Sequence, residues 1–462
     1  MKQPTRNWDL IILLLAFIIS RLILPLVGIQ MDVNAINVYW QYLSVDTLQH
    51  NLLNGLWYNH TQPPMFNLLL GMMLKIFGSA MPVVIPFLFK LITVANILLL
   101  YKSLKLLTQH RWLPLMLAML FMLSPATMIL ENELFYTSFM TMLLLLSCYN
   151  LLRFSKQQSY LVAWGIFLPL AIASLTRSMY NISWLIVVSL ALIIYFKKSG
   201  VKKLSIIALA CTVLAGSWYV KNLVMFGKFT TSTWLGMNLA RNVFHDHSVK
   251  DSTRIESIEP FSSISAYNNF ITGDLAQQYA GLNDRELLSE YKNGPYINEH
   301  HINYIEVSDR YAEASKGFVK DHPASYLKNV LQSAIIFFTP ATRYPFAEKE
   351  AVKMKYYDVV YSFNMNHFAE GKEQRRWAVV ISAIPKMLMY VVTFGVILLA
   401  AKRSKSISAI NLFIVLTFAY IFAVSSLLEH YENMRFRFEI EPLFLLLLGQ
   451  VLAKWLSPAK EK

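Results

Sequence analysis

The stretch Trp8–Gly28, WDLIILLLAFIISRLILPLVG, is apolar apart from Asp9, Ser20 and Arg21. A helix rises about 1.5 Å per residue, so this run is long enough to cross the roughly 30 Å hydrocarbon core of a bilayer. The segment Met1 to Asn7 ahead of it is basic. The run nevertheless contains Arg21 and ends in Leu-Pro-Leu-Val-Gly without a small-residue cleavage site, so it reads as a retained membrane helix rather than a signal peptide.

Further runs of about 17–25 residues lie near 83–101, 112–130, 134–152, 159–175, 178–196, 203–221, 378–400, 408–428 and 440–457. The chain as a whole agrees: of 462 residues 55% are hydrophobic and 15% charged, with mean hydropathy +0.42, too apolar for a soluble protein of this length. The fold expected is an all-α polytopic membrane protein, a bundle of about ten transmembrane helices. The formal net charge of +14 does not point to nucleic acid, because Lys and Arg gather between the apolar runs as membrane-flanking charges do. Lys102, Lys105 and Arg111, then Arg153 and Lys156, then Lys197, Lys198, Lys202 and Lys203, then Lys402, Arg403 and Lys405 mark alternate connections. They fall on the side of the basic N-terminus and of Lys454, Lys460 and Lys462, which the positive-inside rule makes cytoplasmic. Both termini are then cytoplasmic, in a plasma membrane (the inner membrane of a bacterium). Cys148 and Cys211 sit inside apolar runs and support neither a disulfide framework nor a thiolate metal site.

One apolar stretch, Pro64 to Phe77, reaches only about 20 Å as a helix. Counted as a crossing it would put Lys102 to Arg111 outside, so it reads as a half-helix that enters the outer leaflet and returns. The chain then divides into an N-terminal transmembrane module, 1–225, with a first external loop at 29–63, a small external section, 226–377, and C-terminal transmembrane helices, 378–462. Within the external section Tyr326 to Phe338 is apolar enough for a short interfacial helix at the membrane surface. No internal repeat is apparent, which weakens a reading as an inverted-repeat transporter.

The first external loop opens with Met31-Asp32-Val33 and closes with Tyr58-Asn59-His60-Thr61-Gln62-Pro63-Pro64-Met65-Phe66-Asn67. A Pro pair suits a helix start, where the missing N–H groups have no intrahelical partner. His60 and Gln62 are thereby held beside a helix N-terminus, a place that favours anions.

At these residues the sequence resembles the GT-C glycosyltransferases, integral membrane enzymes that take sugars from polyprenyl-phosphate donors. It is most similar to the bacterial branch related to protein O-mannosyltransferases and to the lipid A aminoarabinose transferase. Those families place an acidic residue just after the first span and a His/Lys-Pro-Pro-like sequence further on, as Asp32 and His60 to Pro64 stand here, and the similarity runs on through Leu-Leu-Leu-Gly and Ile-Phe-Gly to Gly78. The resemblance implies a GT-C-like bundle with external juxtamembrane helices, and transfer of a sugar to a lipid, glycan or protein acceptor of the envelope on the periplasmic side. It implies Asp32 as catalytic base, although the family's usual Asp-Glu pair is Asp32-Val33 here; Asp46, in Ser44-Val45-Asp46, is the rival.

Glu131-Asn132-Glu133 ends the next hairpin where similar enzymes carry an acidic residue facing the active cavity, so Glu131 and Glu133 are candidates for positioning substrate or for ligating a divalent cation, the one cofactor left open. Helix capping is the alternative for both. The last loop, His430-Tyr431-Glu432-Asn433-Met434-Arg435-Phe436-Arg437-Phe438-Glu439-Ile440-Glu441-Pro442, resembles the arginine-bearing loop that precedes the last span of the GT-C module. Arg435 or Arg437 is suited to hold the donor phosphate, with Glu432 positioning substrate; pairing of the arginines with Glu432 and Glu441 is the structural alternative. Arg177 ranks next among the cations, ahead of Arg21, Lys90 and Lys386 inside apolar runs. His245-Asp246-His247 lacks the spacing and further ligands of a zinc site. Thr231 to Arg241 sets Trp234 among small polar residues, which suits sugar stacking or a headgroup anchor. The rival functions are a transporter or flippase of a lipid-linked saccharide, a non-catalytic envelope assembly subunit, and an envelope polysaccharide polymerase or ligase using the same class of donor.

Overall fold

The computed structural model describes residues 8–108, 110–245, 285–289, 291–292 and 294–456. Over these residues the chain is an all-α polytopic membrane protein whose only strands are a two-residue antiparallel pair, Tyr291–Lys292 with Tyr296–Ile297.

Helix α1 spans Trp8–Ile23, and the first loop folds into three short helices, α2 Ala35–Val38, α3 Val45–His50 and α4 Leu52–Tyr58. Helix α5, Pro64–Phe77, has the length expected of the half-helix and packs against α3 and α4. A turn at Gly78 (φ +47°), a backbone region open to glycine, separates it from α6, Met81–Thr108. The run at 112–130 is broken rather than continuous. Ser124 Oγ accepts the Thr127 N–H at 3.0 Å and Pro125 occupies the first helical position, so α7, Leu113–Leu123, ends there and α8, Pro125–Leu130, restarts at a new angle. The other runs appear as α9 Thr137–Phe154, α10 Tyr160–Ser174, α11 Ile182–Tyr195 and α12 Val201–Phe226.

Then follow α13 Leu235–Val243, α14 Arg285–Leu288, α15 Tyr304–Asp321, α16 Pro323–Phe337, α17 Pro345–Lys353, α18 Lys355–Ser362, α19 Gly371–Ser404, α20 Ala409–Leu428 and α21 Asn433–Leu456. Six stretches among the described residues are long and apolar enough to cross a membrane: 8–27, 64–108, 137–154, 201–226, 371–404 and 409–428. Helices α7, α10 and α11 are shorter apolar helices, and α21 carries charge in its first two turns before its apolar run. One core joins α1, α5 to α12 and α19 to α21. Helix α16, expected at the membrane surface, packs against α19, α20 and α21. Helices α13 and α15 approach so closely that a Cβ on Gly236 would stand 1.8 Å from the Ser308 carbonyl oxygen, and this contact fixes α13 beside the end of α20.

Candidate active site

A cavity of about 440 Å³ is walled by five stretches remote in sequence: Trp40 and Gln41 with Gln62, Tyr136, residues 177–183, residues 230–241, and the end of α20 with the start of α21. Of the expected site residues it gathers Gln62, Arg177, Glu432 and Arg435. Its wall adds Trp40, Tyr136, Trp234, Asn238, Arg241 and Glu429.

Arg435 is 2% exposed. Its guanidinium salt-bridges Glu432 and lies over the rings of Phe135 and Tyr344, at 4.3 and 4.8 Å from their centroids. Nε and Nη1 have no hydrogen-bond partner among the described residues. Arg435 lines the cavity, and its guanidinium is a buried, always-charged group with two donors unpaired, a state that costs about 1–3 kcal/mol or more. Arg177 is held differently: it pairs with Glu439, which also accepts the Tyr180 hydroxyl at 3.0 Å, and its guanidinium sits 3.9 Å from the Phe436 ring centroid. Arg437 is fully engaged away from the cavity. Its Nε donates to Phe337 O at 2.8 Å, Nη2 to Thr339 O at 3.2 Å and Nη1 to Glu441 at 2.6 Å. Two helical steps turn a side chain by about 200°, so Arg435 and Arg437 had to face opposite ways. Of the two, Arg435 lines the cavity and Arg437 does not.

Glu429 and Glu432 flank Arg241, whose Nη1 stands 3.4 Å from one and 3.9 Å from the other. Burial pushes the Glu429 carboxyl up to about 7, with the Glu432 charge adding and Arg241 opposing. Glu432 is itself buried, which alone would raise it, but Arg435 and Arg241 hold it below the usual carboxylate range.

The first loop is largely committed to structure. His60 is fully buried, and its Nε2 donates to the His300 carbonyl at 3.1 Å. Nδ1 is therefore the acceptor for the Thr233 hydroxyl at 2.8 Å. Burial and the nearby Lys221 charge lower its pKa to about 3, so it stays neutral as a latch. Lys221 Nζ donates to the carbonyls of Trp57 and Asn59 at 2.9 and 2.8 Å, clamping the same loop. The first free N–H of α5, at Met65, bonds Leu175 O at 2.9 Å, which sets Gln62 close to the Arg177 turn. Asp32 is exposed outside the cavity, its Oδ1 accepting the Asn34 N–H at 2.9 Å. Asp46, also exposed, borders a second cavity with Glu286 and Lys292.

Glu131 and Glu133 diverge. Glu131 is buried in a two-pronged pair with Arg21, at 2.8 and 2.9 Å, that ties α1 to the end of α8. Glu133 accepts the Tyr39 hydroxyl at 3.0 Å; burial pushes it up to about 7 against that bond, and Glu350 and Asp32 add to the rise. Among the described residues no group of three or more His, Cys, Asp or Glu is placed to hold a metal ion. Of the 245–247 triplet only His245 lies within the described residues, with its ring stacked 3.5 Å from that of His430.

Sequence reasoning missed Arg241 and Glu429. The signal for the first was present: Trp234, Asn238 and Arg241, spaced by four and three, share one helical face, and all three line the cavity. Trp234 is buried in that wall, at 4% exposure.

Residues 61–218 match the family model described as dolichyl-phosphate-mannose-protein mannosyltransferase, a domain of the GT-C superfamily. The match supports a membrane glycosyltransferase of the GT-C type. It takes in Gln62, Tyr136 and Arg177, whereas Trp40, residues 230–241 and the last loop lie beyond it. No curated protein and no solved structure matches the chain.

Proposed function

We propose, on the premise of the match over residues 61–218, that the protein transfers a sugar from a polyprenyl-phosphate-linked donor to an envelope acceptor. That acceptor is a lipid, a glycan or a protein on the periplasmic side of a bacterial inner membrane, with both termini cytoplasmic. The observation that carries the reading is Arg435, a buried guanidinium on a cavity wall with Nε and Nη1 unused. A sugar on polyprenyl phosphate departs with its leaving group already ionised, so the reaction needs cations more than a strong general acid. Arg435 receives the phosphate, Arg177 adds positive field from its fixed place on Glu439, and Gln62 offers an amide to donor or acceptor. Trp40 and Trp234 supply aromatic faces for a sugar ring. The side of the membrane rests on the alternation of basic connections.

The acceptor's proton goes to a carboxylate. The family resemblance names Asp32, with Asp46 as rival, and a base need not touch the reaction centre before substrate arrives. A single displacement inverts the anomeric configuration, and a retained configuration in the product removes that mechanism. The test supplies the purified full-length protein in nanodiscs with a panel of polyprenyl-phosphate sugars and membrane extract as acceptor source. Wild type releases polyprenyl phosphate from at least one donor, and Arg435→Gln releases it about 10²–10³-fold more slowly. No turnover of any donor by wild type turns the reading towards saccharide transport or an assembly role.

A further inference from the structure

A chain of alternating charges runs along the cavity wall. Arg435 pairs with Glu432, and Arg241 Nη1 stands 3.9 Å from Glu432 and 3.4 Å from Glu429 Oε1. At one end Arg435 keeps Nε and Nη1 unused. At the other end an oxygen is left over. Glu429 Oε1 accepts the His430 N–H at 3.0 Å, but Oε2 has no hydrogen bond from the described residues, although Glu429 is only 7% exposed.

The backbone that carries Glu429 is pinned to its neighbours. Asn433 Nδ2 donates to the carbonyls of Ser425 and Glu429 at 2.8 and 3.1 Å. From α13, Asn242 Nδ2 donates to those of Ser426 and Leu427 at 2.9 and 3.0 Å, so α13 and the end of α20 are fixed to each other. On the α13 side Trp234, Asn238 and Arg241 present one face to the same cavity. The Asn238 side-chain amide makes no hydrogen bond among the described residues. A carboxylate oxygen, an amide and an indole thus stand on one rigid wall, with the Arg435 guanidinium further along it.

We infer that Glu429 reads the donor sugar: Oε2 accepts a ring hydroxyl of the sugar whose phosphate sits on Arg435, the Asn238 amide bonds a second hydroxyl, and Trp234 covers the ring's apolar face. The inference rests on the sugar-transfer reading above and names its donor as a neutral sugar with free hydroxyls. A hydroxyl brings a donor to the oxygen that lacks one and adds no charge. A uronic acid would instead bring a third carboxylate to a stretch of wall where Arg241 already faces two, Glu429 and Glu432. Arg241, tied to Oε1, orients the Glu429 carboxyl, and proton transfer stays with the first loop. Burial lifts Glu429 to about 7. The contact holds in either form, because an ionised carboxyl accepts the sugar O–H and a protonated one donates to the sugar oxygen.

The test follows polyprenyl phosphate release by the full-length protein in nanodiscs, supplied with polyprenyl-phosphate hexoses, their monodeoxy analogues and the matching uronic acids. Binding of bare polyprenyl phosphate is measured in parallel. A hydrogen bond to a charged group is strong enough that, in wild type, loss of one particular hydroxyl lowers kcat/KM roughly 10–100-fold. In Glu429→Ala the parent hexose falls to the level of that deoxy analogue, the analogue loses nothing further, and bare polyprenyl phosphate binds as before. The uronic acid is a poor donor for wild type and a better one for Glu429→Ala. The inference is overturned if no single hydroxyl matters to wild type, if every deoxy penalty persists in full in Glu429→Ala, or if wild type prefers the uronic acid. Should Glu429→Ala fail to fold or to bind polyprenyl phosphate, Glu429→Gln decides, since its Oε1 still accepts the His430 N–H. The penalty for that hydroxyl then shrinks to about fivefold, and a penalty kept in full refutes the contact. Wild type that turns over no donor defeats the transferase reading, and binding then judges the inference alone. A hexose donor held more tightly than bare polyprenyl phosphate, by wild type and not by Glu429→Ala, upholds it, and equal affinity in wild type removes it.

Discussion

The two faces at the head of α21 carry the same residue types to opposite ends. On one face Arg435 meets Glu432, Phe436 covers Arg177 and Glu439 receives it, and two donors of Arg435 stay unused beside a cavity. On the other, Arg437 spends its donors on Phe337 O, Thr339 O and Glu441, and Lys386 adds a second cation to Glu441 at 2.8 Å. A buried arginine with all partners present holds helices together; Arg435 keeps donors that no described residue uses. Arginine content near a helix start therefore says little about function until the unfilled hydrogen bonds are counted.

This contrast breaks most directly by exchange of the two arginines. Arg435→Gln is expected to slow polyprenyl phosphate release by about 10²–10³-fold, some 3–4 kcal/mol of barrier, and to cost less stability than loss of Arg437, because Glu432 keeps Arg241 at 3.9 Å. Arg437→Met is expected to cost about 3–5 kcal/mol of stability, because α16 carbonyls lose their donor in the core, while the protein that remains folded turns over normally. Thermal unfolding in detergent and release per folded molecule measure the two effects separately. A stable, inactive Arg437→Met or an unstable Arg435→Gln would reverse the assignment.

Much of the fold was legible because bilayer thickness sets a length and apolar runs either meet it or do not. The long apolar helices after 134 follow the expected runs, and Pro64 to Phe77 forms the short helix its length required. The run at 112–130 misled because both halves are apolar and the break at Ser124-Pro125 is local turn chemistry, which hydropathy does not register. At the site, residue type was legible and partnership was not. Arg435, Arg177, Gln62 and Glu432 line one cavity. His60 instead closes a latch to Thr233 and His300, residues 173 and 240 positions away, and no spacing rule sees that far.

The pair Glu131 and Glu133 sharpens the same contrast at smaller scale, one engaged on both oxygens by Arg21 and the other on a single tyrosine. Arg21→Met is expected to lower stability by about 3 kcal/mol by stranding Glu131, and Arg21→Met combined with Glu131→Leu to recover most of it, since a buried ion pair is replaceable by apolar packing. Unfolding midpoints of the single and double variants read this out. A double variant that folds but no longer transfers would return Glu131 to the substrate.

The smallest effect is expected at Gln62. Its neighbours in the chain are fixed: the Gln62 N–H reaches Asn59 Oδ1 at 3.3 Å, Pro63 and Pro64 set the start of α5, and the Met65 N–H bonds Leu175 O. The side chain lines the cavity, as an uncharged amide on the wall it shares with Arg177 and Arg435. A neutral hydrogen bond to a substrate is worth about 1 kcal/mol, so Gln62→Ala should raise the KM for the donor about fivefold and leave kcat and stability nearly unchanged. Gln62→Lys separates the two substrates: an added cation tightens a bound phosphate and lowers the donor KM, whereas at an acceptor position it leaves the donor KM as in wild type. A fall in kcat with KM unchanged in Gln62→Ala would mean that the amide acts in the transition state, and the polar end of the first loop would then join the last loop in the chemistry rather than only in its support.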